Sequence, residues 1–227
     1  MKPMLVRPAA ALAAALALVA LAAPAAQAEP KTFHAEIENF SLKATENTAQ
    51  TFTFKAGNVE CTKSTLTGTE VAKTTGELTF DAEYSNCSSF FGKSSAKFDM
   101  NGCDYRFTLN PTTSIPTLGK FHFLCPVNKK IEITVGLEGS EGASPICTIT
   151  IVQQELPNLI YNSGGEGKMR HAGAILNVRE MTYTQDGVFC PGNEGKKETM
   201  FMEGTYKGEV TLKAFNEGGG QIGYWIQ

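Results

Sequence analysis

Three histidines, six cysteines, a few paired carboxylates and one tryptophan are the residues of this 227-residue chain whose types and spacing could do chemistry. His34, His122 and His171 lie too far apart for any two imidazoles to share an i, i+2 or i, i+4 face and meet on one metal. His122 falls on the polar side of an alternating stretch and is expected in solvent. His171 ends the run Gly-Gly-Glu-Gly-Lys-Met-Arg-His, inside a stretch with no sustained period. That stretch, Leu156 to Gly173, is expected to be a long loop, and loops carry binding groups more often than frameworks do, so His171 is a candidate ligand-binding residue.

The carboxylates pair at spacing two, Asp81 with Glu83 and Glu36 with Glu38, which places each pair on one strand face. Glycoside hydrolysis sets its two carboxyls on opposite sides of the scissile bond, so same-face neighbours read as solvated surface. A hydrolase would need Asp81 or Glu83 together with a loop acid such as Glu166. The run Asp99 to Asp104 offers oxygen ligands around a glycine, but Asn110 stands where a calcium loop closes with glutamate. No Gly-x-Ser-x-Gly elbow occurs. No catalytic residue, metal ligand or cofactor is therefore expected. Tyr224 and Trp225, behind three glycines, are the other candidate ligand-binding residues, since an exposed aromatic pair can stack on a sugar or an apolar partner.

The cysteines imply a compartment. Met1 to Ala28 has a positive start (Lys2, Arg7), an apolar run from Ala9 to Ala23 and an Ala-x-Ala end, the grammar of a cleaved secretory signal. Residues 29–227 are expected as one exported domain with no membrane span. Cys61, Cys87, Cys103, Cys125, Cys147 and Cys190 all follow the signal, and their even number implies disulfides. Fifteen pairings are possible. Placement at strand ends favours neighbours: Cys61 with Cys87, Cys103 with Cys125, Cys147 with Cys190. After cleavage, 18 basic residues face 23 acidic ones, a net charge of −5, with no footprint for nucleic acid or anionic lipid.

The elements that would position these groups are strands. Ser95 to Leu109 reads as a hairpin turning at Asn101-Gly102, a pair suited to a type I′ turn. Phe121 to Val135 reads as a second hairpin. Alternation recurs around Phe52, Val59, Phe80, Ile149 and from Ala174 onward, and no helical period appears after the signal. About eleven short antiparallel strands imply an all-β two-sheet sandwich stapled by disulfides, with a β-barrel as the alternative.

The patterns Cys61-x-x-x-Thr-Leu-x-Gly68, Asn101-Gly-Cys-x-Tyr105, Phe123-x-Cys-Pro126 and Cys147-x-Ile-x-Ile151 resemble a group of uncharacterised exported, cysteine-rich β proteins of soil actinobacteria. The resemblance implies the fold, and none of its motifs implies an active residue. The function expected is a secreted, non-catalytic binding or surface-associated module for an extracellular glycan or protein. The alternatives are a polysaccharide hydrolase and a protease-inhibitor-like protein presenting the Gly136 to Pro145 loop before Cys147.

Overall fold

The computed structural model describes residues 29–89, 94–111, 115–137, 145–187, 189–192 and 199–227. The expected signal, residues 1–28, and most of the Gly136 to Pro145 loop lie outside the described residues. Among the described residues the fold is all-β and antiparallel, with sixteen strands where about eleven were expected. In chain order they are β1 (Phe33–Ala35), β2 (Phe40–Glu46), β3 (Gln50–Phe54), β4 (Gly57–Glu70), β5 (Thr74–Thr75), β6 (Glu77–Ser89), β7 (Ser94–Asp99) and β8 (Asp104–Leu109). There follow β9 (Thr117–Leu124), β10 (Ile131–Leu137), β11 (Cys147–Ile151), β12 (Gln154–Gly164), β13 (His171–Asp186), β14 (Thr199–Phe215), β15 (Gln221–Ile222) and β16 (Tyr224–Ile226). A 3-10 turn, Gly167–Met169, separates β12 from β13.

The strands form two sheets, one of thirteen strands and one of three in the order β16-β1-β5. Twelve strands of the large sheet make eight lines, each hydrogen-bonded to the next in sequence: β2 with β3, β4, β6, β7 with β8, β9 with β10, β11 with β12, β13 and β14, while β15 pairs with the end of β14. Line eight then pairs with line one through β14–β2 and β14–β3, so the ladder closes on itself and protects its edges. The two layers of this sandwich-like fold are thus opposite sides of one circuit. Side chains alternate as strand geometry requires, and the inward rows fill the space between the layers. Tyr206 of line eight reaches rings from lines four and five, with centroids 6.4 Å from Tyr105 and 5.6 Å from Phe121. Its hydroxyl donates to Gln50 Oε1 at 2.8 Å and lies 2.9 Å from the Tyr84 hydroxyl.

Three local expectations are corrected. The Asn101-Gly102 turn forms, with φ 51° and 77° and Cys103 N–H bonded to the Met100 carbonyl at 2.8 Å, but β7 and β8 do not pair with each other. Both run along β6 in one direction, with residues 97–103 opposite 82–86, so the turn is a two-residue excursion in a continuing line. The second expected hairpin behaves likewise: β9 and β10 continue past a turn at Pro126 to Lys129. The two turns lie side by side, and Cys103–Cys125 ties them. Thirdly, Leu156 to Gly173 is largely strand. Leu156 and Leu159 both point inward although three residues apart, because a bulge at Pro157 and Asn158 (φ 74°) inserts one residue and breaks the period of two.

The disulfides are Cys61–Cys87, Cys103–Cys125 and Cys147–Cys190, the neighbour pairing expected. Among the described residues no helix is long and apolar enough to cross a membrane.

Candidate functional site

A trough lies on the outer face, where β2, β4 and the end of β14 meet. Its floor is made by outward side chains of β2 and β4, Ser41, Lys43, Thr67 and Thr69, and Phe215 forms one wall. This part has a volume of about 690 Å³. It continues past Asn39, Glu70 and Val71 to Asn216 and Glu217. The lip at Asn216 to Gly220 is rigid for a local reason. The Asn216 side chain accepts from Gly220 N–H at 2.8 Å, its carbonyl accepts from Gly219 N–H at 2.9 Å, and Gly219 takes φ 76°, which glycine alone tolerates freely. On the opposite lip Asn39, at φ 54°, donates its N–H to the Val71 carbonyl.

The electrostatics single out Glu70. Its carboxyl is pushed above the usual carboxylate range, first by partial burial and then by the nearby Glu77 charge. The rest of the lining mixes hydroxyl and amide groups with Leu42, Val71 and Phe215, and it carries Lys43 and Glu217 as its other charged side chains. These groups can exchange hydrogen bonds with a polyhydroxylated ligand while a ring packs against its apolar face.

The aromatic pair at the C-terminus divides. Tyr224 points into the core, stacked near Phe33 and tilted against Phe40, with its phenol raised well above the usual range by burial. Trp225 points outward, as alternation on a strand demands. It stands directly across from His34, the rings 5.7 Å apart and nearly parallel, while the Arg170 guanidinium carbon lies 4.8 Å from the indole centroid. β1 runs along one edge of β16; along the other, the Arg170 carbonyl accepts Tyr224 N–H at 3.1 Å and Ser163 Oγ accepts Ile226 N–H at 2.9 Å. His34 and Arg170 therefore flank the indole, one from the β1 side and the other from the opposite edge of β16. His171 is the first residue of β13 instead of a loop residue. Its Nδ1 lies 3.2 Å from the Met169 carbonyl, and its ring sits against Gly164, where any Cβ would come within 2.7 Å of Nε2.

The remaining candidates are scattered. Asp81 faces Asp104 across β6 and β8, and that proximity, after burial, raises the Asp104 carboxyl. Glu166 precedes the 3-10 turn, on the far side of the circuit from Asp81 and Glu83, so these acids do not converge. His122 is half-buried, contrary to expectation, with Nε2 3.5 Å from Thr108 Oγ1 and Nδ1 3.5 Å from Glu155. Burial holds its imidazole below the usual range, helped by Arg106 and Lys120 against the pull of Glu155. Glu155 is shared with Lys120, and the row lies on the open outer face of β8, β9 and β12. Asp99 is spent on its own turn, accepting Asn101 N–H at 2.9 Å. No cluster of three metal-ligating side chains occurs among the described residues.

No protein-family model, curated protein or solved structure matches the chain. Sequence reasoning missed both the trough and the placement of Arg170. Ser41, Thr69 and Phe215 are far apart in sequence, and only the three glycines Gly218 to Gly220, read ahead of Tyr224 and Trp225, fall beside the place.

Proposed function

We propose that the protein is a secreted, disulfide-stabilised, non-catalytic binding module that holds an extended glycan in the outer-face trough. The observation that carries this reading is the trough's lining: hydroxyls and amides along an open channel, with Phe215 as an aromatic wall. The ring-filled interior leaves the outside as the place for a ligand. Three disulfides suit an oxidising, extracellular setting, in keeping with residues 1–28 as an export signal.

A hydrolase is the second reading, favoured by one observation. Glu70, its carboxyl raised by burial and by Glu77, borders the same trough as Glu217, and glycoside cleavage uses two carboxyls of which one is raised by its surroundings. Affinity electrophoresis of residues 29–227 through gels containing plant, fungal or bacterial polysaccharides tests both. Retardation by one of them, weakened about tenfold in Phe215→Ala, is the expected result, since an aromatic contact contributes roughly 0.5–1.5 kcal/mol beyond its area. Release of reducing ends, abolished in Glu70→Gln, would put the hydrolase in its place. Unchanged mobility in every gel would overturn the glycan reading.

A further inference from the structure

We infer that Arg170 is an anion-reading residue, held ready by Trp225 and His34 to bind the carboxylate or sulfate of an acidic glycan. The inference deepens the glycan reading, on which it rests for the carrier of the anion.

Arg170 is exposed and forms no ion pair among the described residues, although the chain has more acidic than basic residues. Glu36, on the same face as His34, stands toward Gly223 and does not pair with it. A free arginine ordinarily samples many rotamers, which a ligand must freeze at a cost in affinity. Here the guanidinium lies on an indole, and its own carbonyl is pinned by Tyr224 N–H, so much of that ordering is already done.

The stack is buttressed behind. His34 Nε2 lies 2.8 Å from Thr32 Oγ1 and Nδ1 lies 3.3 Å from Thr74 Oγ1, so both ring nitrogens are occupied by hydroxyls. The histidine thus supports the indole, the indole supports the guanidinium, and the guanidinium is left with its planar N–H fork unpaired. That fork matches a two-oxygen anion such as a uronate carboxylate or a sulfate ester, which it can hold through two parallel hydrogen bonds. Surface lysines offer no such geometry.

Trp225 is the only tryptophan in the chain, so its fluorescence reads occupancy of this site directly. Titrating residues 29–227 with a uronic acid oligosaccharide, its carboxyl-reduced neutral counterpart and a sulfated oligosaccharide of equal length separates the contributions. The expected result is a saturable change in Trp225 emission with an acidic oligomer, about 10- to 100-fold tighter than with the neutral one. Arg170→Gln should lose that advantage; Arg170→Lys should keep part of it, retaining charge without the fork. Preference for the sulfated over the uronate oligomer would assign the anion to sulfate. Equal affinity for acidic and neutral oligomers, or an advantage that survives in Arg170→Gln, would overturn the inference while leaving the trough reading intact. Failure of all three oligomers to bind by any readout, including calorimetry, would also overturn the inference, and the trough reading would then stand or fall by the gel mobilities.

Discussion

The six tyrosines show most plainly how single residues carry this structure. Burial raises every phenol: Tyr84, Tyr105, Tyr161, Tyr206 and Tyr224 well above their ordinary value, and Tyr183 to about 12. The unfolded chain ionises its phenols near pH 10. Their contribution to stability is therefore complete below about pH 10 and is lost as pH climbs toward the folded values, because only the unfolded chain releases the protons. In a spectrophotometric titration, tyrosinate absorbance should stay flat through pH 10 and then rise together with the loss of β-structure. Several phenols titrating smoothly near pH 10 in the folded protein would contradict this packing. Individual residues were partly legible in the sequence. Alternation alone placed Tyr105, Phe107, Phe121 and Phe123 inside, whereas Tyr224 and Trp225, expected as a surface pair, had to point opposite ways because they are neighbours on a strand.

At the scale of elements, strand existence was readable and strand partnership was not. The Asn101-Gly102 signal specified its turn correctly but was silent on whether the chain reverses or continues, since that depends on whether β6 and β10 compete for β7. The Leu156 to Gly173 stretch was hidden by one bulge that shifted the period. The cysteines were the most reliable long-range markers. Cys103–Cys125 locks two adjacent excursions that hydrogen bonding alone secures at few points, notably Asn101 Nδ2 to the Lys130 carbonyl at 2.9 Å. Replacing Cys103 and Cys125 together by alanine should lower stability by roughly 2 to 4 kcal/mol. Denaturant unfolding checks this: the midpoint should fall, with the native sheet signal retained in water. A midpoint equal to that of the parent would show that the turns are secured by other contacts.

At the scale of the whole molecule, closure of the ladder and a filled interior go together. Eight lines paired in a ring leave few free backbone edges for another chain to join, and rings from opposite layers occupy the centre. The trough then lies on the outer surface. The small sheet and the trough form there from segments the sequence keeps apart: β1 leads into Asn39, β5 follows Val71, and β16 follows the Gly218 to Gly220 turn. That assembly of three distant segments is why the all-β class was legible from alternation while the site was not. The central claim is that the trough holds a glycan. Backbone chemical-shift mapping on isotope-labelled residues 29–227, titrated with the polysaccharide fragment that retards the protein in gels, tests it most directly. Shifts concentrated at Asn39 to Lys43, Thr67 to Val71 and Phe215 to Gly219 are predicted; shifts confined to other surfaces, with these three segments unmoved, would contradict it.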